Sequence, residues 1–180
     1  MTLEPLSNRK SYRRQFRLPI DDAQEVERQI DLMKNNGIIE ASDSIDYNSP
    51  VFLVNKKSGA KRIVVDLRGI NNLLRPQIVA LPRISEIIDE ITLQKSQYLT
   101  TTDLFSGFWQ IRIQKGSRKY TSFTAPLSEH RWQYCKTPFG LLNSPAALLT
   151  VLNQVFAGRG QRSRFYVYYL ILGKPGMTTC

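Results

Sequence analysis

Histidine is almost absent from this chain, and cysteine nearly so. A single His130 excludes a multi-histidine metal site. Cys135 and Cys180 form neither a disulfide framework nor a paired CxxC metal motif. Two isolated cysteines suit a reducing compartment, so an intracellular location, cytoplasmic or nuclear, is expected. No apolar run approaches the length of a membrane span, and the basic N-terminus lacks the apolar core of a signal peptide. No membrane partner is expected, and no internal repeat is present. The scarcity with most bearing on chemistry is acidic. After Glu90, half the chain holds only two carboxylates, Asp103 and Glu129.

What is present is positive charge. Twenty-five Lys and Arg residues against 15 Asp and Glu give a net charge of +10. Basic residues gather in "NRKSYRRQFR", "NKKSGAKR", "RIQKGSRK" and "GRGQRSR", while residues 21–46 are acidic. Such a balance favours a polyanionic partner; the plainer reading is a generally basic soluble protein. With 180 residues, 42% of them hydrophobic, the chain can build one large domain or two small ones.

The residue pattern predicts a mixed architecture. Residues 1–20 read as an extended basic arm closed by Pro19. "DDAQEVERQIDLMKNNG" reads as a helix capped by Asp21 or Asp22, with Val26, Ile30 and Met33 on one face and Gly37 at its end. "PVFLVNKKSGAKRIVVDL" reads as a hairpin, and "LPRISEIIDEI" as a short helix presenting Ile84, Ile87, Ile88 and Ile91. "QYLTTTDL" is a strand ending at Asp103. "KYTSFTAP" and "HRWQYCKTP" are paired strands. Ser144 and Pro145 are the N-cap and first residue of a helix to about Phe156. "FYVYYLIL" is a last apolar strand. Strands and helices do not alternate strictly, so the expected class is α+β.

Taken in order, "QIDLMKNNGIIEASDSIDYNSPVFLVNKKSG", "RIVVDLRGIN", "LPRI", "TTDLFSGFWQIRI", "TPFGLLNSPA" and "YVYYLIL" resemble the fingers and palm of a reverse transcriptase, an RNA-directed DNA polymerase, of the gypsy-type LTR retrotransposon Pol polyprotein. The resemblance covers about residues 25–172. It implies right-hand polymerase fingers over 21–97 and palm over 98–180, the palm truncated and followed by no thumb or RNase H region. It implies RNA or DNA template-primer and deoxynucleoside triphosphates as partners, and Mg²⁺ or Mn²⁺ as cofactor. The reaction is nucleotidyl transfer assisted by two cations about 4 Å apart, which carboxylates must hold together.

Carried over residue by residue, the resemblance makes Asp103 a metal ligand and catalytic carboxylate, with the backbone carbonyl of Leu104 as helper. It places Lys57 and Arg62 on the triphosphate, Lys56 being an alternative to Lys57. Phe108 falls under the sugar, and Phe139 and Gly140 beside the incoming base. Read without the family, Lys57 and Arg62 belong to a solvated turn, Phe108 to the core and Gly140 to an ordinary turn. "HRWQY" and "SRFYVYY" either stack on bases or form a buried strand face. The chain departs from the family at Leu148 and Leu149, where an aromatic followed by Gln is usual.

The larger departure is at Tyr168 and Tyr169, where the family carries two aspartates in a Tyr-x-Asp-Asp turn. A phenol with a pKa of about 10 is ionised in roughly one molecule in a thousand at pH 7. It cannot bridge two cations as a carboxylate does. One carboxylate of three remains, which implies little or no polymerase activity. The alternative reading of the chain is a non-catalytic nucleic-acid-binding remnant of a retrotransposon polyprotein.

Overall fold

The computed structural model describes residues 1–56, 59–79, 83–93 and 104–156. The described residues divide into two compact units, one drawn from residues 1–77 and 105–148, the other from residues 78–104 and 149–156. Helices and strand pairs are mixed without a repeating βαβ order, an α+β arrangement.

Helix α1, Ile20–Asn35, buries Ala23, Val26, Ile30 and Met33 along one stripe. Asp21 and Asp22 lie in its first turn, where carboxylates oppose the positive end of the helix, and neither caps it; Pro19 is the cap residue and supplies no side-chain bond. Gly37 ends the helix at φ +60°. The Ile38 amide donates to the Met33 carbonyl at 2.9 Å and the Gly37 amide to Lys34 at 2.9 Å. That pair of bonds is a Schellman closure, and a left-handed C′ residue is what it demands.

The exit from α1 feeds strand β2, Ile39–Ala41. Short β1, Ser11–Tyr12, pairs in parallel with β3, Tyr47–Asn48. The expected hairpin forms: β4, Val51–Asn55, and β5, Lys61–Val65, run antiparallel with Val54 opposite Arg62. After a one-turn helix α2, Arg68–Asn71, the first unit resumes at residue 105. "KYTSFTAP" is not a long strand. Residues Lys115–Thr121 wind into a 3-10 turn, leaving only β6, Phe123–Thr124. The reason is local: the hydroxyls of Thr121 and Ser122 donate back to the carbonyls of Arg118 and Lys119, three residues earlier, a bonding pattern that competes with a strand ladder. β6 pairs with β7, Arg131–Tyr134, which also pairs with β2, giving the order β2-β7-β6.

The core joins these pieces. Val26, Ile30, Val51, Ile70, Leu74, Ile113 and Phe123 are all essentially inaccessible to solvent. Leu3 belongs to the same cluster. The N-terminal segment is accordingly packed: the Leu3 amide donates to Ser117 Oγ, Leu6 donates to the Leu73 carbonyl, and Arg75 donates to the Glu4 carbonyl.

Helix α3, Ile84–Leu93, lies in the second unit. Ile88, on its apolar face, is 56% exposed. Helix α4, Ser144–Phe156, begins where Ser-Pro indicates. Ser144 is its first helical residue, and its hydroxyl donates to the Pro138 carbonyl at 3.1 Å. Leu148 and Leu149 are buried. No helix among the described residues is long and apolar enough to cross a membrane.

Candidate functional site

Of the residues expected to meet a nucleotide, Arg62, Phe108, Phe139 and Gly140 are described, and all four lie in the first unit. Three of their side chains come together around one ring. The Arg62 guanidinium lies 5.5 Å from the centroid of Phe139, within cation–π range. Phe108 meets Phe139 edge to face with centroids 5.3 Å apart, and Trp109 does so at 6.0 Å. Phe139 stays 40% exposed. The result is an aromatic shelf with a guanidinium at its rim.

Local structure explains each position. Arg62 sits in mid-strand on β5, and Gln29 of α1 grips the backbone on both sides of it. Gln29 Nε2 donates to the Lys61 carbonyl at 2.9 Å, and the Ile63 amide donates to Gln29 Oε1 at 2.9 Å. Those groups would otherwise be unpaired at a strand edge. Lys61 forms an ion pair with Asp22, whereas Arg62 makes no ion pair among the described residues.

Phe108 and Trp109 ride on a 3-10 turn, Gly107–Gln110, entered through Ser106 at φ 48°. A non-glycine residue in this left-handed region is uncommon and costs conformational energy. The turn is closed by the Trp109 amide on the Ser106 carbonyl at 2.8 Å and by Gln110 Nε2 on Phe105 at 2.9 Å. Beyond it, Ile111 and Ile113 are buried anchors. The Thr137 amide donates to Ile111 and the Ile113 amide to Cys135, each at 2.8 Å. The turn carrying Phe108 is thereby tied to the strand that leads into Phe139.

The loop after Phe139 turns at Gly140, φ +84°, where a side chain would be strained. It is held from α2. Asn71 Nδ2 donates to the Gly140 carbonyl at 2.8 Å, and the Leu142 amide donates to Asn71 Oδ1 at 2.9 Å.

A second charged feature stands on the same unit. Asp66, at the end of the hairpin, is buried and takes a forked pair of bonds from Arg68 Nε and Nη2 at 2.8 and 2.7 Å. Arg13 Nη1 adds a third at 2.6 Å. Arg68, with Arg13 beside it, holds the carboxyl well below its usual range despite its burial.

Lys57, Asp103, Tyr168 and Tyr169 lie outside the described residues. Leu104 is the first residue described after Asp103, and its side chain is 39% exposed. Among the described residues no three His, Cys, Asp or Glu side chains group as metal ligands. Asp66 is already committed to two guanidinium groups.

Sequence reasoning missed Gln29, Asn71, Trp109 and the left-handed Ser106. Trp109 had a signal, its adjacency to Phe108. Gln29 sits on the polar face of a helix and Asn71 in a one-turn helix, where side-chain amides carry no pattern of their own.

Comparison with known proteins decides the family. The profile of the family described as "Reverse transcriptase (RNA-dependent DNA polymerase)" matches residues 54–170. The chain belongs to the reverse transcriptase family. It is 38% identical over 158 residues to the retrovirus-related Pol polyprotein from transposon 297 of Drosophila melanogaster, covering 85% of this chain and 14% of that protein. It is 35% identical over 153 residues to the Pol polyprotein from transposon 412, covering 82% and 12%, and 31% identical over 160 residues to that from transposon gypsy, covering 86% and 15%, both of the same organism. The chain thus spans about one seventh of the length of these relatives.

Proposed function

We propose that the chain is the fingers-and-palm portion of a retrotransposon reverse transcriptase that binds a deoxynucleoside triphosphate and template-primer but extends the primer poorly. Fingers over 21–97 and palm over 98–180 are part of this reading. So are an intracellular site of action and a family requirement for Mg²⁺ or Mn²⁺. The observation that carries it is the Arg62 guanidinium 5.5 Å from Phe139, with Phe108 packed against the same ring. These residues are far apart in sequence and have no shared role in the core, since the ring at their centre is exposed. A free guanidinium forks onto phosphate oxygens, and an exposed aromatic ring accepts a base or sugar face.

In this reading Arg62, with Lys57, binds the triphosphate, Phe108 bounds the sugar, and Phe139 and Gly140 bound the base. Asp103 is the one carboxylate left for the reacting end, with the Leu104 carbonyl beside it. The divalent cations of the family would supply charge neutralisation there. With Tyr168 and Tyr169 as the other donors, no catalytic step is assigned through them.

Primer extension on an RNA template, with Mg²⁺ or Mn²⁺, tests this. The wild type is expected to extend far less than the Tyr168→Asp, Tyr169→Asp double variant. Vigorous extension by the wild type that survives Asp103→Ala sinks the proposal. The same donor set favours a second reading, a remnant that binds nucleic acid without catalysis. For that reading duplex binding should weaken steeply with salt while neither the wild type nor the double variant extends.

A further inference from the structure

The loop bearing Phe139 and the segment following α2 grip each other through two asparagines. Asn71 reaches from α2 and bonds the Gly140 carbonyl and the Leu142 amide. Asn143 reaches back: its Oδ1 accepts from the Gln77 amide at 3.0 Å, and its Nδ2 donates to the Arg75 carbonyl at 2.9 Å. Each side chain thus satisfies one donor and one acceptor of the opposing backbone, much as a strand pairing does, though neither segment is a strand there. Asn143 is 2% exposed, so its amide is fully committed. Gly140 and Leu142 flank the bend that aims Phe139 at Arg62, Phe108 and Trp109. Among the described residues no other hydrogen bond holds the Gly140 carbonyl or the Leu142 amide.

We propose that Asn71 is a positioning residue of the nucleotide pocket, with Asn143 as its reciprocal partner: it fixes the backbone at Gly140 and Leu142 so that the Phe139 ring presents its face under Arg62. The inference rests on the nucleotide reading of that cluster. Asn71 does not touch the nucleotide; it sets how far the aromatic shelf is organised before a ligand arrives, and preorganisation of this kind shows in affinity.

Trp109 supplies the readout, because its ring lies 6.0 Å from Phe139. In the full chain carrying Trp132→Phe, Trp109 is the only tryptophan left. Its fluorescence is followed during titration with dTTP, beside far-UV circular dichroism to confirm folding. Arg62→Ala, Asn71→Ala and Asn71→Asp are compared in that background. The aspartate retains an acceptor for the Leu142 amide and loses the donor to Gly140.

Asn71→Ala should bind dTTP roughly tenfold more weakly while remaining folded, the loss expected when about one hydrogen bond's worth of organisation is removed. Asn71→Asp should fall between it and the wild type, and hydrogen exchange at the Leu142 amide should quicken only in the alanine variant. If Asn71→Ala does not fold, Asn71→Asp decides, and wild-type affinity in that variant overturns the proposal. If the parent binds, Arg62→Ala weakens it and folded Asn71 variants bind as the parent does, the positioning role alone is refuted. If the parent shows no response to dTTP, the nucleotide reading falls and takes this inference with it.

Discussion

Arg62 reaches the face of Phe139 across 76 intervening residues, with its guanidinium carbon 5.5 Å from the ring centroid. Both side chains are exposed, so the pair itself contributes about 0.5–1 kcal/mol. A double-mutant cycle on unfolding, with Arg62→Ala and Phe139→Ala, should return a coupling of that order. A coupling indistinguishable from zero would show that the two merely lie near each other. On the proposed nucleotide reading, Arg62→Ala should also cut dTTP affinity by more than it cuts stability, because the exposed guanidinium makes no ion pair among the described residues.

Asp66 makes stability depend on acid. Arg68 and Arg13 lower its folded carboxyl pKa below the ordinary value. A depressed folded value gives stabilisation that is complete above the unfolded pKa, about 3.9, and is lost as pH falls through the lower folded value. Urea unfolding at pH 7 and near pH 2.5 should therefore show a drop that Asp66→Asn largely removes. At pH 7 the asparagine should cost about 1–3 kcal/mol, since the carboxylate is buried while both guanidinium groups reach water.

Tyr134 acts at the other end of the scale. Its phenol is fully enclosed, with its hydroxyl directed at Met33 Sδ 3.9 Å away, and burial pushes its pKa up from 10. Here the neutral acid is the favoured folded form. Stability is complete below the unfolded pKa and is lost as pH rises beyond it, so the fold should weaken above about pH 10. Tyr134→Phe should lessen that alkaline loss in thermal melts between pH 9 and 11. An unchanged alkaline profile in the phenylalanine variant would assign the loss to other groups.

Gln29→Ala should loosen β5 without unfolding the chain. The expected cost is about 1–2 kcal/mol, from one lost donor and one lost acceptor at a partly wet edge. Hydrogen exchange at the Ile63 amide should accelerate well beyond that at Val64, which pairs with Phe52 and turns its amide toward β4. Equal acceleration at both positions would mean that the hairpin opens as a whole and that Gln29 does not act locally.

Periodicity made α1 legible, because Val26, Ile30 and Met33 share one face and Gly37 can take the left-handed turn. The hairpin was legible for a similar reason, two β-branched runs around a polar turn. The strand expected at "KYTSFTAP" was not, since serine and threonine hydroxyls bonded back to nearby carbonyls and wound the segment into a 3-10 turn. At the candidate site, residue type and motif order pointed to Arg62, Phe108, Phe139 and Gly140, three of whose side chains share one shelf. What escaped was the support beneath them. Gln29 and Asn71 act by bonding to backbone of distant segments, and no one-dimensional pattern records which carbonyl a side-chain amide will meet. Ser106 escaped for the opposite reason: its left-handed backbone is imposed by its surroundings, and serine gives no hint of it.

Leu3 is buried in the same cluster as Ile113 and Phe123, and its amide is bonded to Ser117, 114 positions along the chain. A ribosome adding about 5–20 residues per second would have displayed Leu3 for on the order of 10 s before Ser117 emerged. Until then the apolar stripe of α1 can pack on β2 and β4 but lacks Ile113 and Phe123 of the same cluster. The first unit therefore closes late in synthesis, and its earliest segment is among the last to find its place.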